Sequence, residues 1–190
     1  MIESALIVSC QEKETTLLKE LLNAASVRQF SVLDSCESAG RLMLKQDFDL
    51  VIVNSPLRDE SGEKFSRYIA SKGVSQVILL VKNEFFDSVS AVCEDDGVLT
   101  ISKPLDKVFL WPALSLAKAA QNRIKKIQAE NMQLKRKIED IRIIDRAKCI
   151  LISFMNMSEQ EAHRYIEKQA MDMRSSRRIV AEGILKRYEN

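Results

Sequence analysis

Apolar residues recur along this chain with two different periods, and the change of period divides it. In the front part, short apolar runs occur at Ala5–Val8, Phe30–Leu33, Leu50–Val53, Val77–Val81 and Val98–Ile101. Between them, apolar positions step by three and four, as at Leu17, Leu18, Leu21 and Leu22. The same helical spacing covers Ala39, Leu42 and Leu44, then Phe65, Tyr68 and Ile69, and a stretch near Phe85–Val92. The middle runs are apolar on both faces, as strands are when a parallel sheet is covered on both sides. Strands alternating with helices in this way predict an α/β domain of flavodoxin-like type with five parallel strands, at residues 1–108.

From Leu110 the period becomes a heptad. Leu110, Ala113, Ala117, Ala120, Ile124, Ile127, Asn131, Leu134, Ile138 and Ile141 step by alternating threes and fours. Pro112 is expected in the first helical turn, where a missing N–H is harmless. The first turns are expected to lie on the chain's own domain. Beyond Ala120 the stripe is too narrow for a buried helix and suits a two-stranded coil. Ile124, Ile127, Asn131, Leu134, Ile138 and Ile141 form its expected seam, and one Asn at an a position favours a parallel dimer in fixed register. Glu130 would face Lys135 of a second copy, whereas Lys137 opposite Arg142 weakens the end of the seam. Residues 109–144 are therefore read as a dimerisation helix.

The pattern widens again after Asp145. Ala147, Ile150, Leu151, Phe154 and Met155 extend the helix, and Asn156-Met157 breaks it. Ser158 and Glu161 have the spacing of a capping box. The helix that follows carries Ala162, Tyr165, Ile166, Gln169, Ala170 and Met173 on one face. A last one, capped by Ser175 or Ser176, carries Ile179, Val180, Ile184 and Leu185. Residues 145–190 thus predict a small three-helix bundle.

Charge changes the picture more than composition does. The net charge is only +2, but residues 1–120 hold 13 Lys/Arg against 17 Asp/Glu and residues 121–190 hold 16 against 10. A basic back half suggests a polyanionic partner. Cys10, Cys36, Cys93 and Cys149 lack paired spacing and read as reduced, half-buried thiols of a cytoplasmic protein. With His163 the only histidine, neither a metal cluster nor a catalytic centre is expected, and no cofactor. No apolar run has the length of a membrane span.

Ser102-Lys103-Pro104-Leu105 after the last strand run, and Gly62 eight residues beyond the third, make the front half resemble a response-regulator receiver domain (CheY-like). That resemblance implies a phosphate-accepting carboxylate ending the third strand and an acidic pair after the first for Mg²⁺. Here those positions are Asn54, and Ser9 with Cys10. The expected hydroxyl residue after the fourth strand is Val81, and the aromatic switch position is Thr100. An amide is a poor nucleophile and brings no charge to a hard cation. The expectation is a pseudo-receiver that is not phosphorylated, with Lys103 held structurally by Asn54 or a carbonyl. Glu12 and Asp59 are the carboxylates nearest in sequence that could rescue a metal site.

The back half resembles the ANTAR domain of transcription antitermination regulators. The matching strings are Ala147-Lys148-x-x-Leu151, Ser158-Glu159-x-Glu161-Ala162-x-x-Tyr165, Gln169-Ala170-Met171-Asp172-x-Arg174 and Val180-Ala181-Glu182, with Cys149 where the family often has glycine. The resemblance implies a homodimer that binds paired stem-loops in nascent messenger RNA and so prevents a terminator hairpin. Lys148, Arg174, Arg177 and Arg178 are the expected phosphate contacts. Arg146, Ser175 and Ser176, with Arg164 and Tyr165, are the weaker candidates for loop bases. A regulatory protein or small ligand at the pseudo-receiver is the expected input. A DNA-binding regulator and a purely structural adaptor are the rival readings.

Overall fold

The computed structural model describes residues 2–188, and the chain divides into two compact units, residues 1–127 and 128–190. In the first unit the strands are β1 (Ser4–Ser9), β2 (Gln29–Leu33), β3 (Leu50–Asn54), β4 (Gln76–Lys82) and β5 (Leu99–Lys103). They form one parallel sheet in the order β2-β1-β3-β4-β5. The helices between them are α1 (Glu12–Ala24), α2 (Cys36–Met43), α3 (Glu63–Ser71) and α4 (Phe86–Glu94), the last preceded by a short 3-10 turn.

Alternation along each strand explains why the middle runs lack polar positions. Ala5, Ile7, Ile52, Ile78 and Leu80 face one core with Leu18, Leu21 and Leu22 of α1. Leu6, Val8, Val51, Val53, Leu79 and Val81 face the other, with Ala39 of α2, Ile69 of α3 and Cys93 of α4. In the middle strands Ala5–Ser9, Leu50–Asn54 and Gln76–Val81 are buried whichever way they point, whereas the edge strands β2 and β5 are half-buried apart from the exposed Gln29.

One helix, α5 (Lys107–Met155), begins in the first unit and ends in the second. Its start corrects one sequence expectation. The Asp106 carboxylate accepts the Val108 N–H at 2.9 Å, so the helix is already under way when Pro112 is reached. Pro112 therefore lies in the second turn, not the first. Leu110, Leu114 and Ala117 complete the core on the α1 side. Gln121, only 1% exposed, donates to the Val74 carbonyl at 2.9 Å, and Lys125 pairs with Asp49 at 2.7 Å.

In the second unit the end of α5 packs with α6 (Glu159–Asp172) and α7 (Arg177–Tyr188). Ala147, Leu151, Ala162, Ile166, Ala170, Val180, Ala181 and Leu185 make its core. Four small alanines let the helices approach closely. The capping box forms: the Ser158 N–H and hydroxyl both donate to Glu161 at 2.8 Å, and Ser158 Oγ accepts from the Glu161 N–H at 3.3 Å. Met173 and Ile179, expected on the inner faces, are 59% and 53% exposed instead. They flank the α6–α7 turn, where Arg174 takes a left-handed φ of 48°, and the turn carries both side chains past the core.

The cysteines also depart from expectation. Cys36 and Cys93 are buried, and burial pushes both thiols up, so they are inert core residues; Cys10 and Cys149 are exposed. No described helix is long and apolar enough to cross a membrane.

Candidate nucleic-acid interface and receiver cleft

The parallel register sets Ser9 beside Asn54 at the carboxyl end of the sheet, where α/β folds carry their ligand sites. Both side chains are buried. The Asn54 Nδ2 donates to Ser9 Oγ at 2.9 Å, and the Thr15 hydroxyl donates to the same oxygen at 2.8 Å. Asn54 Oδ1 is buried with no hydrogen-bond partner. Cys10 donates to the Pro56 carbonyl at 3.2 Å, and Val81 is closed into the core. Lys103 donates to the Ser55 carbonyl at 2.6 Å and pairs with Glu14 at 2.9 Å, its side chain only 10% exposed. Of the two structural partners expected, Asn54 and a carbonyl, the carbonyl is the one taken.

A divalent cation would need hard, charged oxygen donors here. The residues present do not fit one. Asn54 and Ser9 are neutral, Cys10 is a thiol, and Glu14 is committed to Lys103. Asp59 lies elsewhere in function: its carboxylate accepts the N–H groups of Cys36 and Glu37 at the start of α2, at 3.1 and 2.9 Å. Desolvation opposes its ionisation, but these backbone donors hold its pKa below the ordinary carboxylate range. Glu12 is exposed in the first turn of α1. Among the described residues no group of three or more His, Cys, Asp or Glu side chains could hold a metal ion.

Gly62, singled out by position, has a φ of 81°, and a Cβ there would come within 2.6 Å of the Val53 side chain. Two constraints thus require glycine at the turn behind the cleft.

In the second unit the candidate cations sort into two kinds. Lys148 lies 2.9 Å from both Asp145 and Glu159, which raise its pKa, Asp145 the more strongly. Arg178 bridges Asp140 at 2.7 Å and Glu182 at 2.9 Å, and Arg177 pairs with Glu167 at 3.1 Å. These side chains also tie the helices together. Arg174, Arg164, Lys168 and Arg187 have no ion pair among the described residues. Arg146 is exposed on α5. Ser176 Oγ accepts the Ile179 N–H at 3.3 Å and so caps α7, whereas the Ser175 hydroxyl is buried without a partner.

Two clefts open beside these groups. Met155, Glu161, Arg164, Tyr165 and Lys168 border one. Met155 and Tyr165 also border the other, whose far wall is Gly183, Arg187 and Tyr188 of α7. Arg187, Tyr188 and the second cleft were missed by sequence reasoning; the signal that could have found them is Gly183, a glycine in mid-helix.

The residues expected to form a seam all lie on α5. Ile127, Leu134, Ile138 and Ile141 are between 47% and 58% exposed, Asn131 is exposed and Ile124 is half-buried.

Comparison with known proteins bears on both units. Residues 132–185 match the ANTAR domain family. The chain is 28% identical over 137 residues to the transcriptional regulatory protein PdtaR of Mycobacterium tuberculosis, covering 72% of this chain and 67% of that protein. It is 28% identical over 109 residues to the aliphatic amidase regulator of Pseudomonas aeruginosa, covering 57% and 56%. Among solved structures, the signal receiver domain of an HD domain-containing protein from Pseudomonas fluorescens aligns with a TM-score of 0.58 at 22% identity, over 66% of this chain and 93% of that one. The receiver domain of the TMAO respiratory response regulator TorR aligns at 0.54 and 21% identity, over 64% and 98%.

Proposed function

From a chain that carries an ANTAR domain behind a receiver-type fold, the organisation of an ANTAR response regulator, we propose a non-enzymatic, cytoplasmic transcription antiterminator that binds paired stem-loops in nascent RNA as a homodimer. The observation that carries this reading is the ANTAR match over residues 132–185, which covers the whole of α6 and most of α7. The relatives point the same way, both being named as regulators. RNA is read most readily in loops, where unstacked bases are open to side chains.

Phosphate contact falls to the cations the fold leaves unneutralised, Arg174, Arg164, Lys168 and Arg187. Lys148, Arg177 and Arg178 can join them only by releasing carboxylates already within 3.1 Å. Arg146, Ser175 and Ser176 remain at the rim. The dimer forms through Ile127, Leu134, Ile138 and Ile141, with Asn131 setting register and Ile124 at the near end. Two identical modules held on one coil raise the effective concentration of the second loop contact.

The receiver-type unit works without phosphorylation. Asn54 supplies no nucleophile, and Lys103, which would meet a phosphoryl group, is held by Glu14 and Ser55. Its input is a protein or small-ligand contact, or the dimer is constitutive. Incubation with acetyl phosphate and magnesium should leave the intact mass unchanged; a phosphoryl adduct would refute this part. The RNA reading is tested by mobility shift of the full chain with tandem-hairpin RNA, a single hairpin and a DNA duplex. Preference for tandem RNA is expected, weakened by Arg174→Ala. Equal binding to all three would favour the DNA-binding rival, and no binding the adaptor.

A further inference from the structure

Gly183 sits inside α7 with no left-handed φ, and a Cβ built on it meets nothing within 4 Å. Glycine inside a helix costs roughly 1 kcal/mol against alanine. Packing in this chain gives no return for that cost, because the space beside Gly183 is empty. That space is the floor of the cleft bounded by Met155 and by Tyr165, Gln169, Arg187 and Tyr188. It measures about 180 Å³, the scale of the ~150 Å³ cavity that admits a benzene ring.

The chemistry of the walls narrows what fits. Among the described residues no carboxylate lines the cleft, and the one lining cation, Arg187, has no ion pair. This contrasts with Lys148, Arg177 and Arg178, each neutralised by carboxylates. The cleft therefore favours a ligand bearing negative charge at one edge. Two tyrosine rings flank it, and that of Tyr188 lies 5.6 Å from the exposed ring of Phe154. The Gln169 side-chain amide offers a donor and an acceptor side by side. Met155 and Tyr165 are shared with the neighbouring cleft, which presents Arg164 and Lys168 beside Glu161.

A flat aromatic ring with hydrogen-bonding edges and an attached anion matches all four features. We propose that this cleft takes one unstacked base of a single-stranded RNA loop. The base lies against Tyr165 or Tyr188 with its polar edge at Gln169, and the adjoining phosphate rests on Arg187. The proposal depends on the RNA-binding reading and adds where, on each module, a loop base enters.

The test uses the full chain and hairpin RNAs carrying 2-aminopurine at successive loop positions, beside a fully paired RNA of equal length. Gly183→Leu projects a side chain into open space and replaces a poor helix former, so thermal unfolding should occur at the same temperature or higher. It should weaken loop binding about tenfold, since a base stacked on an aromatic ring contributes ~1–3 kcal/mol. The 2-aminopurine response at one loop position should be lost, while binding of paired RNA is unchanged. Arg187→Gln, on an exposed side chain, provides a second variant that leaves the packing alone and should also reduce loop binding. Undiminished loop binding by both variants would overturn the proposal. A fall in oligomer mass on Gly183→Leu would overturn it too, by assigning the cleft to contact between copies. If the unaltered chain binds no hairpin at all, the RNA-binding reading fails first and this proposal falls with it.

Discussion

Gly62 and Asn54 occupy equally pointed positions in the sequence, but the structure treats them in opposite ways. Gly62 keeps the residue its backbone demands. Gly62→Ala places a Cβ against Val53 at a φ of 81° and should destabilise the first unit by more than about 1 kcal/mol in denaturant titration. An unchanged midpoint would contradict the turn geometry. Asn54 stands where a phosphate-accepting carboxylate was expected. Its amide completes a neutral network with Ser9 and Thr15, leaving one carbonyl oxygen without a partner. A buried polar atom left unpaired weighs against stability, which points to a residue not chosen for packing alone.

At the scale of elements, sequence period was a sound guide and side-chain pairing was only half legible. The strand runs lie within the observed strands, apart from a one-residue slip at Val98; in β1, β3 and β4 burial on both faces leaves a run of apolar residues that few other structures produce. The cations could not be sorted in the same way. Arg178 pairs with Glu182 four residues on and Lys148 with Asp145 three residues back, but their second partners, Asp140 and Glu159, lie 38 and 11 residues away, so only half of each pairing shows in local sequence. Met173 and Ile179 fell on apolar stripes but were turned outward by the left-handed link at Arg174. The α6 start was legible in full. Ser158→Ala should cost about 1 kcal/mol in the second unit. The Ser158 N–H and hydroxyl, donating to Glu161, hold its carboxyl below the ordinary range. A depressed folded pKa gives stability that is present above the unfolded value of about 4.3 and is lost as pH falls through the folded one. The Ser158→Ala penalty should therefore shrink between neutral pH and about pH 3.5, measured by urea unfolding; a constant penalty would contradict the capping box.

At the scale of the whole molecule, each unit leaves one kind of work undone. The first has a receiver-type fold with Asn54, Ser9 and Cys10 at the positions where carboxylates were expected. The second has a small core, eight buried residues among those described, and a stripe of exposed large apolar side chains on α5. Burying that stripe in a dimer would stabilise the unit and pair the modules. Ile138→Asp, which puts a charge in the middle of the seam, should convert the protein to a monomer in sedimentation velocity, and a dimer that persists would place the interface elsewhere. The most direct measurement is native mass spectrometry of the unphosphorylated full chain mixed with a tandem-hairpin RNA. Two chains bound to one RNA, with the complex lost for Ile138→Asp, is the expected result. One chain per RNA, or an equal complex with duplex DNA, would contradict a dimer that reads two loops.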